Sequence, residues 1–129
     1  MNECQRKLKM IVNVVISACD TSLTLEGKKD VLMQEVFSKS KKEDAVRTRT
    51  LLVVALKKYG YTNETICKLL DITESAVRKM ISMHDLLKNT NRIYELTSLS
   101  VKHQIEAYRA EDDAEIQKLV AEATKNQTE

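Results

Sequence analysis

TNETICKLLDITESAVRKMI, residues 62–81, reads as two short helices packed across a tight turn. Ile66, Leu70, Ile72, Val77 and Met80 recur at the spacings that seat one helix steeply against another, so this apolar set is expected to face inward. Thr73 is a good N-cap for the second helix, with Glu74 in its positively polarised first turn. Glu74, Ser75, Arg78, Lys79 and Ser82 are then left on one outward face, where the recognition helix of a helix-turn-helix presents side chains to base edges and phosphates. Double-stranded DNA is the first partner this pattern suggests. The plain alternative is an αα-corner whose polar face meets only water.

Charge upstream of the pair favours a polyanionic partner. Between Lys39 and Lys58, seven cations (Lys39, Lys41, Lys42, Arg47, Arg49, Lys57 and Lys58) oppose only Glu43 and Asp44. From Val101 to Glu129 the balance reverses, with seven acids against Lys102, Arg109, Lys118 and Lys125. The formal net charge of +2 therefore conceals a polarised chain, and for a polyanion the shape of the field matters more than the sum. Lys39, Lys41, Lys42, Arg47 and Arg49 are expected to supply the phosphate-backbone footprint, which orients a protein on a duplex without reading its sequence.

Composition fixes the fold class. The 129 residues suit one domain, or one domain with an appendage. Proline is absent, and glycine occurs only at Gly27 and Gly60 in a chain rich in strong helix formers. The expectation is an all-α, small helical bundle containing a helix-turn-helix, with a C-terminal helical extension. Leu8, Ile11, Val12, Val15, Ile16 and Cys19 step by three and four along a first helix. Asp20 to Gly27 interrupts it, and a second helix follows over 28–37, with Leu32, Met33, Val36 and Phe37 as its apolar side. Ser40 and Glu43 have capping-box spacing, which predicts a third helix from Lys41. Within that helix Leu51 to Leu56 is apolar on every side, as suits a central element, and Gly60 is a natural stop. Asn89-Thr90-Asn91 predicts a turn, Arg92 to Leu99 a short helix, and Ser100 the cap of a last helix carrying Val101, Ile105, Tyr108, Ile116, Leu119, Val120 and Ala123. The domain division that follows is a DNA-binding body over 1–99, with the helix-turn-helix at 62–87, and an acidic amphipathic helix over 100–129. The stripe on that last helix is expected to dock on the core or to pair with another copy, as a coiled-coil seam does.

From Val36 to Leu87 the chain resembles the C-terminal DNA-binding domain of the bacterial replication initiator DnaA. The stretch VFSKSKKEDAVRTRTLLVVALKKYGYTNETICKLL is similar to that family's serine-lysine and basic loop, its long apolar helix introduced by an arginine pair, and the first helix of its helix-turn-helix. The resemblance implies that Lys39, Lys41, Lys42, Arg47 and Arg49 touch the minor groove and nearby phosphates while the helix opened by Thr73 and Glu74 enters the major groove. The family's Asp-His-Thr-Thr signature is here Asp71-Ile72-Thr73-Glu74-Ser75, so its origin-element specificity is not implied. The segment is equally similar to the generic helix-turn-helix of transcriptional regulators.

Motifs for catalysis are missing. Neither glycine lies in a phosphate-cradling loop, so nucleotide hydrolysis by that route is excluded. Cys4, Cys19 and Cys67 lack metal-ligand spacing, and His84 and His103 are isolated. Adjacent acids such as Glu111, Asp112 and Asp113 point in different directions from a helix, which makes a solvated face of them. The sequence thus predicts a non-enzymatic protein without cofactor or metal. No apolar run is long enough to cross a bilayer, and Met1 to Lys9 is too charged for a secretory signal, so a cytoplasmic location is expected. The competing expectation is a helical assembly protein, such as a phage-type accessory or packaging component, in which the same two helices serve as scaffold.

Overall fold

A helix with no polar side has to be enclosed, and the run Leu51–Leu56 dictates the arrangement of everything else. The computed structural model describes residues 3–21 and 28–127. Its helices are α1 (Glu3–Cys19), α2 (Lys29–Phe37), α3 (Glu43–Lys58), α4 (Asn63–Leu70), α5 (Glu74–Thr90) and α6 (Arg92–Gln127), and the fold is an all-α bundle. α3 lies at its centre, touched by α1, α2, α4 and α5, while α6 packs across α1 and α5. Leu52, Val53 and Leu56 are wholly buried against Ile11, Val15 and Ile16 of α1, Val36 of α2, Ile66 of α4 and Val77 of α5 in one continuous core. Polar side chains on α3 are reconciled with this enclosure locally. Thr48 and Thr50 donate to the carbonyls of Asp44 and Val46, at 2.7 and 2.8 Å, so their buried hydroxyls are satisfied within the helix.

Arg49 is the exception that needs a tertiary solution. Only 6% exposed, it extends beneath the loop before α3. Its Nε donates to the Val36 carbonyl at 2.9 Å, and Nη2 donates to those of Glu35 and Ser38 at 2.9 and 2.8 Å. Both Nη atoms also reach the Ser40 carbonyl at 3.3 Å. Desolvation pulls the guanidinium below its ordinary pKa, yet such a group stays charged, and the carbonyls at the negative end of α2 are a fitting sink for that charge. α2 carries no basic residue in its own last turn; α3 supplies one from across the core. The expected capping box does not form. With the Ser38 and Ser40 carbonyls drawn onto Arg49, the backbone stays non-helical through Lys42, and α3 starts at Glu43 with no side-chain cap.

The predicted break at Ser100 is also absent, because α6 is one helix of 36 residues. Tyr94, Thr97, Val101 and Ile105 are buried at steps of three and four that run straight through that position. Ser100 is mid-helix and accepts a hydrogen bond from Gln104 at 3.0 Å. The body therefore ends near Ile105 rather than at Leu99, and the first part of α6 belongs to the core. The expected turn shrinks to Asn91, whose N–H closes α5 on the Leu87 carbonyl at 2.8 Å while its side chain accepts from the Tyr94 N–H at 3.1 Å to open α6. Tyr94 is fully buried, and its hydroxyl meets His84 Nδ1 at 2.7 Å, pinning α6 to α5. Burial pushes the Cys19 thiol up to about 12, as befits an inert core cysteine hydrogen-bonded to Thr48. The interruption expected over residues 20–27 falls largely outside the described residues.

Replacing Arg49 by Ala strands the α2 carbonyls and opens a cavity, and is expected to cost about 3 kcal/mol in urea unfolding. Lys is expected to recover less than half of that, since one ammonium cannot reproduce the fork. An unchanged midpoint for Arg49→Ala would rule out the clamp.

A second expectation concerns pH. Burial, aided by Lys88 and opposed by Asp85, holds His84 below its ordinary 6.5. The unfolded chain then takes up the proton more readily than the fold, so this contribution to stability is complete above pH 6.5 and is lost as pH falls from there toward the depressed folded value. Thermal melts from about pH 7.5 to about pH 5 are expected to show this decline, and His84→Gln to flatten its upper part.

Candidate nucleic-acid interface

Three local devices set the geometry of α4 and α5. At the end of α3 the chain reverses through Gly60 at φ +99, with the Gly60 and Tyr61 N–H groups donating to the carbonyls of Lys57 and Leu56 at 3.2 and 3.0 Å. Thr62 then caps α4, accepting from the Thr65 N–H at 3.2 Å, and Thr73 caps α5 in the same way from Ala76 at 3.1 Å. Between the helices Asp71 adopts the left-handed conformation, φ 53 and ψ 54, and the Ile72 N–H closes on the Cys67 carbonyl at 3.1 Å. Ile66, Leu70 and Val77 are consequently buried, with Ile72 and Met80 half-buried beside them.

The opposite face of α5 is open. Ser75, Arg78, Lys79 and Ser82 are all exposed, and with Met83 and Leu86 they line one shallow hollow along the helix. Neither Arg78 nor Lys79 forms an ion pair with a described residue. Glu74 is exposed but committed, since its carboxylate accepts from Asn63 Nδ2 at 3.4 Å and ties the start of α5 to the start of α4. Thr73 is exposed too, with its hydroxyl oxygen occupied by the cap.

The basic run does not form a single surface. Lys39, Lys41 and Lys42 are exposed, yet Lys42 pairs with Glu35 at 3.0 Å. Arg47 is paired with Glu43 one turn away and keeps 27% of its side chain accessible. Arg49 has to be withdrawn from the contact set, because it is buried and its donors are spent on backbone carbonyls. Lys57 and Lys58 sit at the other end of α3, about 20 Å away along a helix rising ~1.5 Å per residue. There Lys58 and Arg109 lie 5.7 and 5.5 Å from the Tyr59 ring centroid, while Lys7 lies 5.7 Å from that of Tyr61 and donates to the Tyr59 carbonyl at 3.0 Å. This cationic and aromatic cluster draws on α1, α3 and α6, so no local sequence pattern announces it. Met83 and Leu86, 44% and 56% exposed, were legible in principle, since they continue the Ser75–Lys79–Ser82 face by one turn.

Among the described residues no group of His, Cys, Asp and Glu side chains is placed to hold a metal ion. Among the same residues no helix is long and apolar enough to cross a membrane. Comparison with protein-family models, curated proteins and solved structures finds no match for this chain.

Asp71 carries a backbone conformation that costs an L-residue free energy which glycine does not pay. Asp71→Gly is expected to raise stability by up to about 1 kcal/mol and Asp71→Val to lower it by about 1–2 kcal/mol. Chemical denaturation distinguishes these signs; a destabilised glycine variant would show that the aspartate side chain holds the turn.

Proposed function

We propose that this chain is a small, non-enzymatic protein that binds double-stranded DNA, with α4, the turn at 71–73 and α5 acting as a helix-turn-helix. The observation that carries the reading is the open face of α5, where Ser75, Arg78, Lys79 and Ser82 are exposed together on a helix whose other side is fixed in the core. Arg78 and Lys79 are assigned to the major groove, where a guanidinium or ammonium finds the acceptors of guanine and the neighbouring phosphates. Ser75 and Ser82 add shorter polar contacts. Lys39 and Lys41, exposed in the loop before α3 and free of ion pairs with described residues, are assigned to the phosphate backbone, with Lys42 and Arg47 available once their surface pairs with Glu35 and Glu43 exchange for phosphate. The likeness to the DnaA C-terminal domain fits a role in replication or transcription control within the cell. A second reading, a phage-type accessory or packaging protein that uses these helices as scaffold, draws on the exposed apolar residues of α6.

Titration of random and selected duplexes at several salt concentrations tests the proposal. Lys39→Ala with Lys41→Ala is expected to weaken binding to all duplexes and to reduce the slope of log affinity against log salt by about 1.8. Arg78→Ala is expected to cost about 1–3 kcal/mol of preference for the selected site. Absence of salt-sensitive duplex binding by the parent protein would overturn the reading in favour of the assembly role.

A further inference from the structure

Two exposed apolar surfaces of this molecule complement each other in charge. Beyond Arg109, which still reaches the Tyr59 ring, the line of the buried face of α6 runs on along exposed side chains. Ile116 lies eleven residues past Ile105, about three helical turns, and therefore on the same side of the helix. Leu119 and Ala123 follow at helical spacing, with Ile116 and Leu119 50% and 58% exposed. Acids dominate this overhang: Glu111, Asp112, Asp113, Glu115 and Glu122 against Lys118 in residues 110–123. Glu115 and Glu122, seven residues apart, flank the apolar stripe on one side. The second surface is the α5 hollow, which sets exposed Met83 and Leu86 beside Arg78 and Lys79, cations that form no ion pair with a described residue.

The overhang does not turn back on its own chain. α6 is continuous from Arg92 to Gln127, and every side chain described between Glu106 and Ala123 is exposed. Acid does not pair well with acid, which disfavours two overhangs zipped together at this charge density. An acidic, apolar helix face and a basic, apolar helix face present on each molecule instead favour reciprocal exchange between two copies, the self-complementary arrangement of a twofold dimer.

We propose that the Ile116–Leu119 face of α6 from one copy seats on Met83 and Leu86 of α5 in a second copy, with Glu115 and Glu122 against Arg78 and Lys79. The contact is small, so the dimer is weak and sensitive to salt. The dimer stands independently of the proposed function. Its consequence rests on that reading: Arg78 and Lys79 are shared, so duplex and dimer compete for the same face.

Sedimentation of the full chain over a range of micromolar concentrations, at low and high salt, tests the exchange. A concentration-dependent dimer that weakens as salt rises is expected. Leu119→Glu and Leu86→Glu, both at exposed positions and checked for unchanged circular dichroism, are each expected to weaken it at least tenfold. Lys79→Glu is expected to do the same, and Glu115→Lys with Glu122→Lys to restore part of the loss in the Lys79→Glu background. A monomer at all concentrations overturns the proposal, as does a dimer lost in Leu119→Glu but untouched by Leu86→Glu, which would mean pairing between overhangs. Duplex titration of monomeric Leu119→Glu keeps the two readings apart: retained binding leaves the DNA assignment standing whatever the sedimentation result.

Discussion

Enclosure of α3 is the constraint on which the rest of the structure depends. Its core-facing residues occupy all sides of the helix, so α1, α2, α4 and α5 have to share its circumference. At position 49 the enclosing helices leave a cation no route to water. Arg49 resolves this by reaching the carbonyl end of α2, and in doing so fixes both that helix and the loop that leads into α3. The cost of burying charge becomes a joint between two helices and a loop, and Lys39 and Lys41 inherit their positions from it.

Sequence made the local physics visible and concealed the tertiary physics. The inward set Ile66, Leu70 and Val77, the Thr73 cap and the enclosed character of α3 follow from periodicity and side-chain chemistry, and each is found in the fold. Arg49 was opaque, because a formal charge says nothing about whether four carbonyls wait nearby. Ser40 misled for a related reason: its spacing to Glu43 satisfies a capping rule, but its carbonyl is claimed by Arg49. Ser100 misled because serine resembles a cap wherever it stands, while Leu99-Ser100-Val101 contains no residue that stops a helix, and the burial of Val101 and Ile105 continues the register of Tyr94. The outward residues of α5 were readable as a face; what that face contacts is a matter of partner chemistry.

The fold also redistributes charge in a way that the linear run of cations disguises. Arg49 is removed from the surface, Lys42 and Arg47 are partly neutralised by Glu35 and Glu43, and Lys57 and Lys58 are carried to the far end of α3. Positive potential is left in separate patches, at the α2–α3 loop, on α5 and around Tyr59, while the acids concentrate on α6 beyond the body. A field divided in this manner suits orientation of a charged partner better than indiscriminate adhesion.

Asn91 ends one helix and begins the next, so the direction of α6 is governed at a hinge one residue long and braced by the His84–Tyr94 bond. From Arg109 to Gln127 the remaining rod projects about 27 Å at ~1.5 Å per residue. Rotation by roughly 5° at its base sweeps the tip through about 2 Å. α6 is in mechanical terms a lever, and subtle repacking around the buried tyrosine is magnified into displacement at its far end.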